Sequence, residues 1–111
     1  MIADRKKGDL RMSMKQIAAN AASKFRGGYN CAESVLLAMA EHESVNSSLI
    51  PKIATPFGGG IARSASICGC VTGSLMAIGM KHGRIQASED RLEAYAIATS
   101  FMTEFEKNSE V

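Results

Sequence analysis

The three cysteines of this sequence, Cys31, Cys68 and Cys70, are the side chains best suited to chemistry. A cysteine thiolate is both a nucleophile and a metal ligand, so thiols of this kind can exchange disulfides, handle sulfur or hold a metal. Three cysteines do not form the disulfide framework of a small secreted domain. In a reducing compartment, cysteines are buried and inert, bound to metal, or redox-active.

Two of the cysteines are predicted to lie at the amino-terminal ends of helices. Cys31 directly follows Asn30, a good helix N-cap, and so takes the first helical position. If Ser66 caps a later helix, Cys68 lies in its first turn and Cys70 is still near that end. Unpaired backbone N–H groups and the helix dipole both stabilise a thiolate there. We therefore predict Cys31, Cys68 and Cys70 as the catalytic residues.

Helix geometry favours some pairings of these thiols over others. At about 100° per residue, Cys68 and Cys70 on one helix point about 200° apart and do not easily bond to each other. A disulfide from Cys31 to either of them is favoured, provided that the two Cα atoms lie about 4.4–6.8 Å apart.

Two other interpretations of the cysteines stay open. An unpaired cysteine is among the most buried residue types and packs like a small hydrophobe. Alternatively, Cys31, Cys68 and Cys70 could hold zinc or part of an iron–sulfur cluster, although their spacing lacks the usual paired Cys-x-x-Cys. No cofactor is certain. His42 and His82 are read as surface or packing residues, since a lone histidine rarely marks a site.

Three consecutive glycines, Gly58, Gly59 and Gly60, exclude a regular helix and predict a loop with unusual backbone angles or a very close backbone approach. The run matches neither a Walker A nor a dinucleotide-binding pattern. We expect the loop to bring backbone N–H groups close to the cysteines. Arg63 follows it and could hold a thiolate or an anionic ligand, or could be the solvated end of the loop.

The elements that must position these residues are all predicted to be helices. The apolar pattern predicts a compact bundle of about four main helices, with the glycine-rich loop before a buried central helix. The first spans Met12 to Phe25, the second begins after Asn30 and ends near residues 43–45, and the third runs from near Ser66 to about His82. Ser88 is predicted to cap the fourth, whose inner stripe comprises Leu92, Tyr95, Ala98, Met102 and Phe105.

Residues 1–10 are predicted to form a flexible leader, and residues 11–111 a single helical domain. Short turns of helix are expected near residues 47–54, limited by Pro51. The small and apolar residues of the third helix are explained by core packing, and they would also suit a homodimer.

Composition excludes several classes of function. A net charge of +2 with scattered basic residues does not indicate nucleic-acid binding. The most apolar stretch, Ile67 to Met80, is about 14 residues long and contains three glycines, whereas a spanning helix needs about 20 apolar residues. We also see no signal peptide. We therefore predict a cytoplasmic protein without membrane insertion.

Four segments in this order resemble a family of small bacterial and archaeal helical proteins, named for its Cys, GCAxxG, Cys, Cys pattern. They are GYNCAESV at 28–35, FGGGI at 57–61, CGCVTG at 68–73 and IGMKHG at 78–83. The resemblance covers about residues 12–107. It implies a redox-active protein with an unknown redox or sulfur-transfer partner, in which Cys31 matches the first family cysteine and Cys68 the second.

This sequence departs from the family pattern at two places. Cys70 stands where the family has alanine, and the family's last two cysteines, which follow the fourth helix, have no counterpart. We expect either that Cys70 substitutes for a missing thiol or that part of the activity is lost. The leading hypothesis is a thiol redox or sulfur-handling protein that uses Cys31 and Cys68, with Cys70 as an auxiliary thiol. The alternative is a non-catalytic helical binding or oligomerisation module, metal-stabilised or not, with structural cysteines.

Overall fold

A computed structural model describes residues 7–64 and 67–109, with side chains for 14–64 and 67–107. Its four α-helices are α1 (Lys7–Arg26), α2 (Cys31–His42), α3 (Gly69–His82) and α4 (Leu92–Ser109), and a 3-10 helix (Lys52–Phe57) lies between α2 and α3. No strand occurs in these ranges. The predicted all-α bundle, with a glycine-rich loop before the central helix, is confirmed.

The core lies where α2, α3 and the 3-10 helix meet. Its buried side chains are mostly small: Ala32 and Leu36 come from α2, Ala54 from the 3-10 helix and Ala77 from α3. Small side chains let the helix backbones approach closely, so α2 makes its most extensive contact with α3. On the opposite side of α2, Glu41 binds Lys24 of α1 at 2.8 Å.

Helix α1 begins at Lys7, before the predicted start at Met12. Residues 1–6 of the predicted leader lie outside the described part of the chain. The predicted flexible leader therefore overlaps α1 at residues 7–10. Helix α1 packs against α2, and its residues Met14 and Phe25 remain more than half exposed.

The start and the inner face of α4 differ from the prediction. The helix begins at Leu92, whose N–H donates to Oδ1 of Asp90 at 2.9 Å, so Ser88 is not its cap. Leu92 and Tyr95 are 67% and 59% exposed. They belong to the outer face because, among the described helices, α4 packs only on α3, through half-buried residues that include Ile97 and Phe101.

The glycine loop has the unusual backbone angles and the close backbone approach that the sequence predicted. Gly59 and Gly60 adopt positive φ values of 63° and 70°, which glycine tolerates without steric cost. The left-handed backbone then continues through Ile61, Ala62 and Arg63, which have side chains. That continuation costs about 1–2 kcal/mol for each such residue and was not predicted.

No helix within the described ranges is long and apolar enough to cross a bilayer.

Candidate functional site

Cys31 occupies the first position of α2, held there by the predicted N-cap. The Asn30 side chain accepts a hydrogen bond from the Glu33 N–H at 2.8 Å, and Oε1 of Glu33 accepts one from the Asn30 N–H at 2.9 Å. This reciprocal pair is a capping box, and it fixes the backbone on both sides of Cys31.

The same cap is tied to the 3-10 helix through Thr55. Nδ2 of Asn30 donates to the carbonyl of Thr55 at 3.1 Å, and Oγ1 of Thr55 donates to Oε2 of Glu33 at 2.6 Å. Thr55 could not be predicted from the sequence, because it lies more than 20 residues from both partners and no local pattern marks it. These bonds hold the end of α2 that carries Cys31 against the segment leading into the glycine loop.

Two glycines bring the amino-terminal end of α3 against that of α2. A Cβ atom at Gly69 would lie 3.0 Å from the Ala32 nitrogen and 3.0 Å from Cβ of Cys31, and one at Gly73 would lie 2.8 Å from the Ala32 carbonyl oxygen. The helices can pack this closely only because both side chains are absent. These glycines are therefore needed for the packing of α3 against α2 within one chain.

Helix α3 begins at Gly69, later than predicted, so Cys68 is its N-cap and not a first-turn residue. The predicted cap, Ser66, lies outside the described residues. The backbone of Cys68 is non-helical (φ −58°, ψ 135°), and its carbonyl accepts hydrogen bonds from the N–H groups of Val71 and Thr72. Cys68 is exposed, and Cys70 is the second residue of the helix.

The Cys70 thiol lies near the thiols of both Cys68 and Cys31 and interacts with each of them. The helical argument that separated Cys68 from Cys70 by about 200° does not apply, since only Cys70 is inside the helix. The pKa of Cys70 is raised to about 11. Partial burial of the thiol is the largest cause, and negative charge on Cys68 or Cys31 also contributes. Cys70 therefore keeps its proton at neutral pH and can donate it to a neighbouring sulfur.

This raised pKa predicts slow alkylation of Cys70 in the folded protein. The thiolate is the reactive form, and at pH 8 a pKa of about 11 leaves about one thiol in a thousand ionised. Brief iodoacetamide labelling, mapped by peptide mass spectrometry, should modify Cys70 at least about tenfold more slowly than in the urea-unfolded chain. The rate should rise with pH up to about 11. Equal rates in folded and unfolded chains would contradict the assignment.

The structure places the glycine loop beside the cap of Cys31. A Cβ at Gly58 would overlap the Asn30 side chain, so the loop passes directly over the residue before Cys31. The predicted approach of Gly59 or Gly60 N–H groups to a sulfur stays a prediction. Arg63 is exposed, and its guanidinium forms no hydrogen bond or ion pair with a described residue.

The described residues do not fit the zinc or iron–sulfur site that the sequence left open. Among them, no group of three or more histidine, cysteine or carboxylate side chains is arranged to hold a metal ion. His42 is exposed at the end of α2, and Nδ1 of His82 lies 3.6 Å from Oε1 of Glu93. We therefore derive no chemistry through a metal.

Comparisons with known proteins identify a family for this chain. Searches of curated proteins and of solved structures found no significant match. A family model described as "Putative redox-active protein (C_GCAxxG_C_C)" matches residues 29–111, which include all three cysteines and the glycine loop. That match spans about three quarters of the sequence, so the chain belongs to the C_GCAxxG_C_C family.

Proposed function

We propose that this protein is a thiol-based redox protein that exchanges a disulfide through Cys31, Cys68 and Cys70. The observation that carries the proposal is the position of Cys70, whose thiol lies near the two others and interacts with both. Membership of a family described as redox-active supports the same class of function. The sequence suggested an auxiliary role for Cys70, whereas we now assign it the central one.

Protonation suggests which thiol attacks first. Cys68 and Cys70 are both exposed, so a disulfide substrate can reach either, but Cys70 holds its proton, and we therefore assign the first attack to Cys68. Its thiolate attacks one sulfur of the substrate, forms a mixed disulfide, and releases the other sulfur as a thiolate. Cys70 then attacks the Cys68 sulfur and gives its proton to the second substrate sulfur, which leaves as a thiol. The proton that Cys68 gave up on forming its thiolate goes to the first released sulfur. Counted from two protein thiols, the protein therefore loses two electrons and two protons, and the substrate disulfide gains both.

A further exchange can move the bridge inward. Cys31 gives up its proton and attacks the Cys70 sulfur as a thiolate, and the Cys68 thiolate that is released takes up that proton. The resulting Cys31–Cys70 bridge would link the amino-terminal ends of α2 and α3. In either form one cysteine stays free. We place this cycle in the cytoplasm, with a thiol or disulfide compound as partner.

The test is a titration of the reduced protein with glutathione disulfide. We expect two equivalents of glutathione released per chain and a protein mass lower by about 2 Da, as an intramolecular disulfide requires. The control is protein alkylated with N-ethylmaleimide in urea and then refolded, which should release none. A persistent glutathione adduct without the mass loss, or no reaction, would contradict the proposal. No reaction is what the alternative, a helical binding or oligomerisation module with structural cysteines, predicts.

A further inference from the structure

A pocket of about 310 Å³ opens beside the thiols, between α1 and α2. It is lined by Ala21, Ala22 and Phe25 of α1, by Val35 of α2, and by the cysteines Cys31 and Cys70. Its volume is at the lower end of the range for small-molecule sites, about 300–1,000 Å³. None of the described residues that line it is charged.

Ser34 supplies the unusual feature of this pocket. It lines the pocket with only 2% of its surface exposed, and its Oγ has no hydrogen-bond partner among the described residues. A buried hydroxyl without a partner is unfavourable, and a serine inside a helix ordinarily bonds the carbonyl four residues before it. Here the carbonyl of Asn30 accepts the ordinary helical hydrogen bond from the Ser34 N–H at 2.9 Å, and the hydroxyl makes no second bond to it.

We infer that this pocket binds the substrate of the thiol site, and that the substrate is an uncharged disulfide or dithiol with an apolar stem and a terminal hydrogen-bonding group. The inference rests on the proposed function. The apolar walls fit the stem, Ser34 Oγ bonds the terminal group, and Cys31 and Cys70 meet the sulfur atoms. In the reaction, a bound dithiol loses two electrons and two protons to the protein disulfide, which becomes two thiols.

The uncharged lining of the pocket favours an uncharged substrate over an acidic one. The protein carries a net charge of +2, which by itself would favour an anionic compound. A preference for the uncharged compound would therefore come from the pocket, because a carboxylate loses its hydration there without gaining a cationic partner.

The first test measures binding without redox chemistry. Octanamide and octanoate share an apolar stem and differ in the charge of the end group. Calorimetric titration of the reduced protein should show octanamide binding at least about tenfold more tightly than octanoate, because the carboxylate gives up its hydration in a pocket that offers no cationic partner. Ser34→Ala should weaken octanamide binding about tenfold, because the end group loses its hydrogen bond, whereas Ser100→Ala, on an exposed position of α4, should leave octanamide binding unchanged.

The stability of the free Ser34→Ala protein provides an independent check. Because the hydroxyl lacks a partner in the described structure, its removal should leave the urea midpoint unchanged or raise it. A clear fall in the midpoint would show that the hydroxyl is already bonded in the free protein, and would overturn the inference.

The second test follows the reaction. Dihydrolipoamide and dihydrolipoate carry the same dithiol on the same stem and differ only in the end group. Oxidised wild-type protein should react about tenfold faster with the amide than with the carboxylate, and Ser34→Ala should slow the reaction with the amide about tenfold. Dithiothreitol, which has no stem, should reduce both proteins equally.

The outcomes separate the two proposals. If glutathione disulfide oxidises the protein but octanamide shows no preference, the pocket assignment is wrong and the thiol function stands. If octanamide binds through Ser34 but no disulfide forms, the pocket binds ligand and the redox function is wrong.

Discussion

Replacing Cys70 with serine is expected to stop disulfide exchange after its first step, when the mixed disulfide has formed. The exposed Cys68 can still attack glutathione disulfide, but the thiol that lies within reach of its sulfur is gone. The mixed disulfide on Cys68 should then accumulate, and release of the second glutathione should slow at least about 100-fold, since a neighbouring thiol reacts far faster than one in solution. Intact mass spectrometry during the reaction measures both species.

Cys31→Ser is the matched control for this experiment. It removes the other neighbour of Cys70 but leaves Cys68 and Cys70 in contact. The variant should still lose about 2 Da on oxidation, now through a Cys68–Cys70 bridge. If Cys70→Ser forms an intramolecular disulfide as fast as the wild type, the central position assigned to Cys70 is wrong.

Gly73→Ala is expected to be strongly destabilising, whereas Gly79→Ala is not. At Gly73 the new Cβ would lie 2.8 Å from the Ala32 carbonyl oxygen, and neither backbone can move without separating α2 from α3. Overpacking of this kind costs about 1–3 kcal/mol. At Gly79, on the same helix, nothing lies within 4 Å of the new Cβ. Alanine there should stabilise the helix by about 0.5–1 kcal/mol.

Urea unfolding of the two variants and the wild type measures this difference. The contact at Gly73 also keeps the two cysteine-bearing helix ends together, so Gly73→Ala should slow formation of the disulfide under conditions in which the variant is still folded. Equal stabilities for Gly73→Ala and Gly79→Ala would show that α3 does not pack on α2 as described.

Local sequence signals predicted the parts of this fold that depend on neighbouring residues. The Asn30–Glu33 cap is an example, because both partners lie within one turn and the pattern is specific. The left-handed Gly59–Gly60 backbone is another, since only glycine adopts it freely.

The start of α3 shows where such signals fail. Serine is a better N-cap than cysteine, and glycine is a poor first residue of a helix, so local preference favoured Ser66. The helix begins at Gly69 nevertheless, where α3 needs a residue without a side chain to contact Ala32 and Cys31. A tertiary contact thus outweighed propensity and moved Cys68 out of the helix.

Two further features of the site depend on contacts between distant segments. Thr55 binds the cap from more than 20 residues away. Ser34 looks like any serine on a helix until the position of α1 shows that its hydroxyl lies beside a pocket. Neither could be found from spacing along the chain.

Disulfide mapping of the oxidised protein tests the central claim most directly. Reduced protein is oxidised with glutathione disulfide, quenched with acid, digested without reductant and sequenced by tandem mass spectrometry. The account predicts a bridge that includes Cys70, joined to Cys31 or to Cys68, with the remaining cysteine free. A bridge between Cys31 and Cys68 that leaves Cys70 as the free thiol would contradict it, and so would bridges found only between chains.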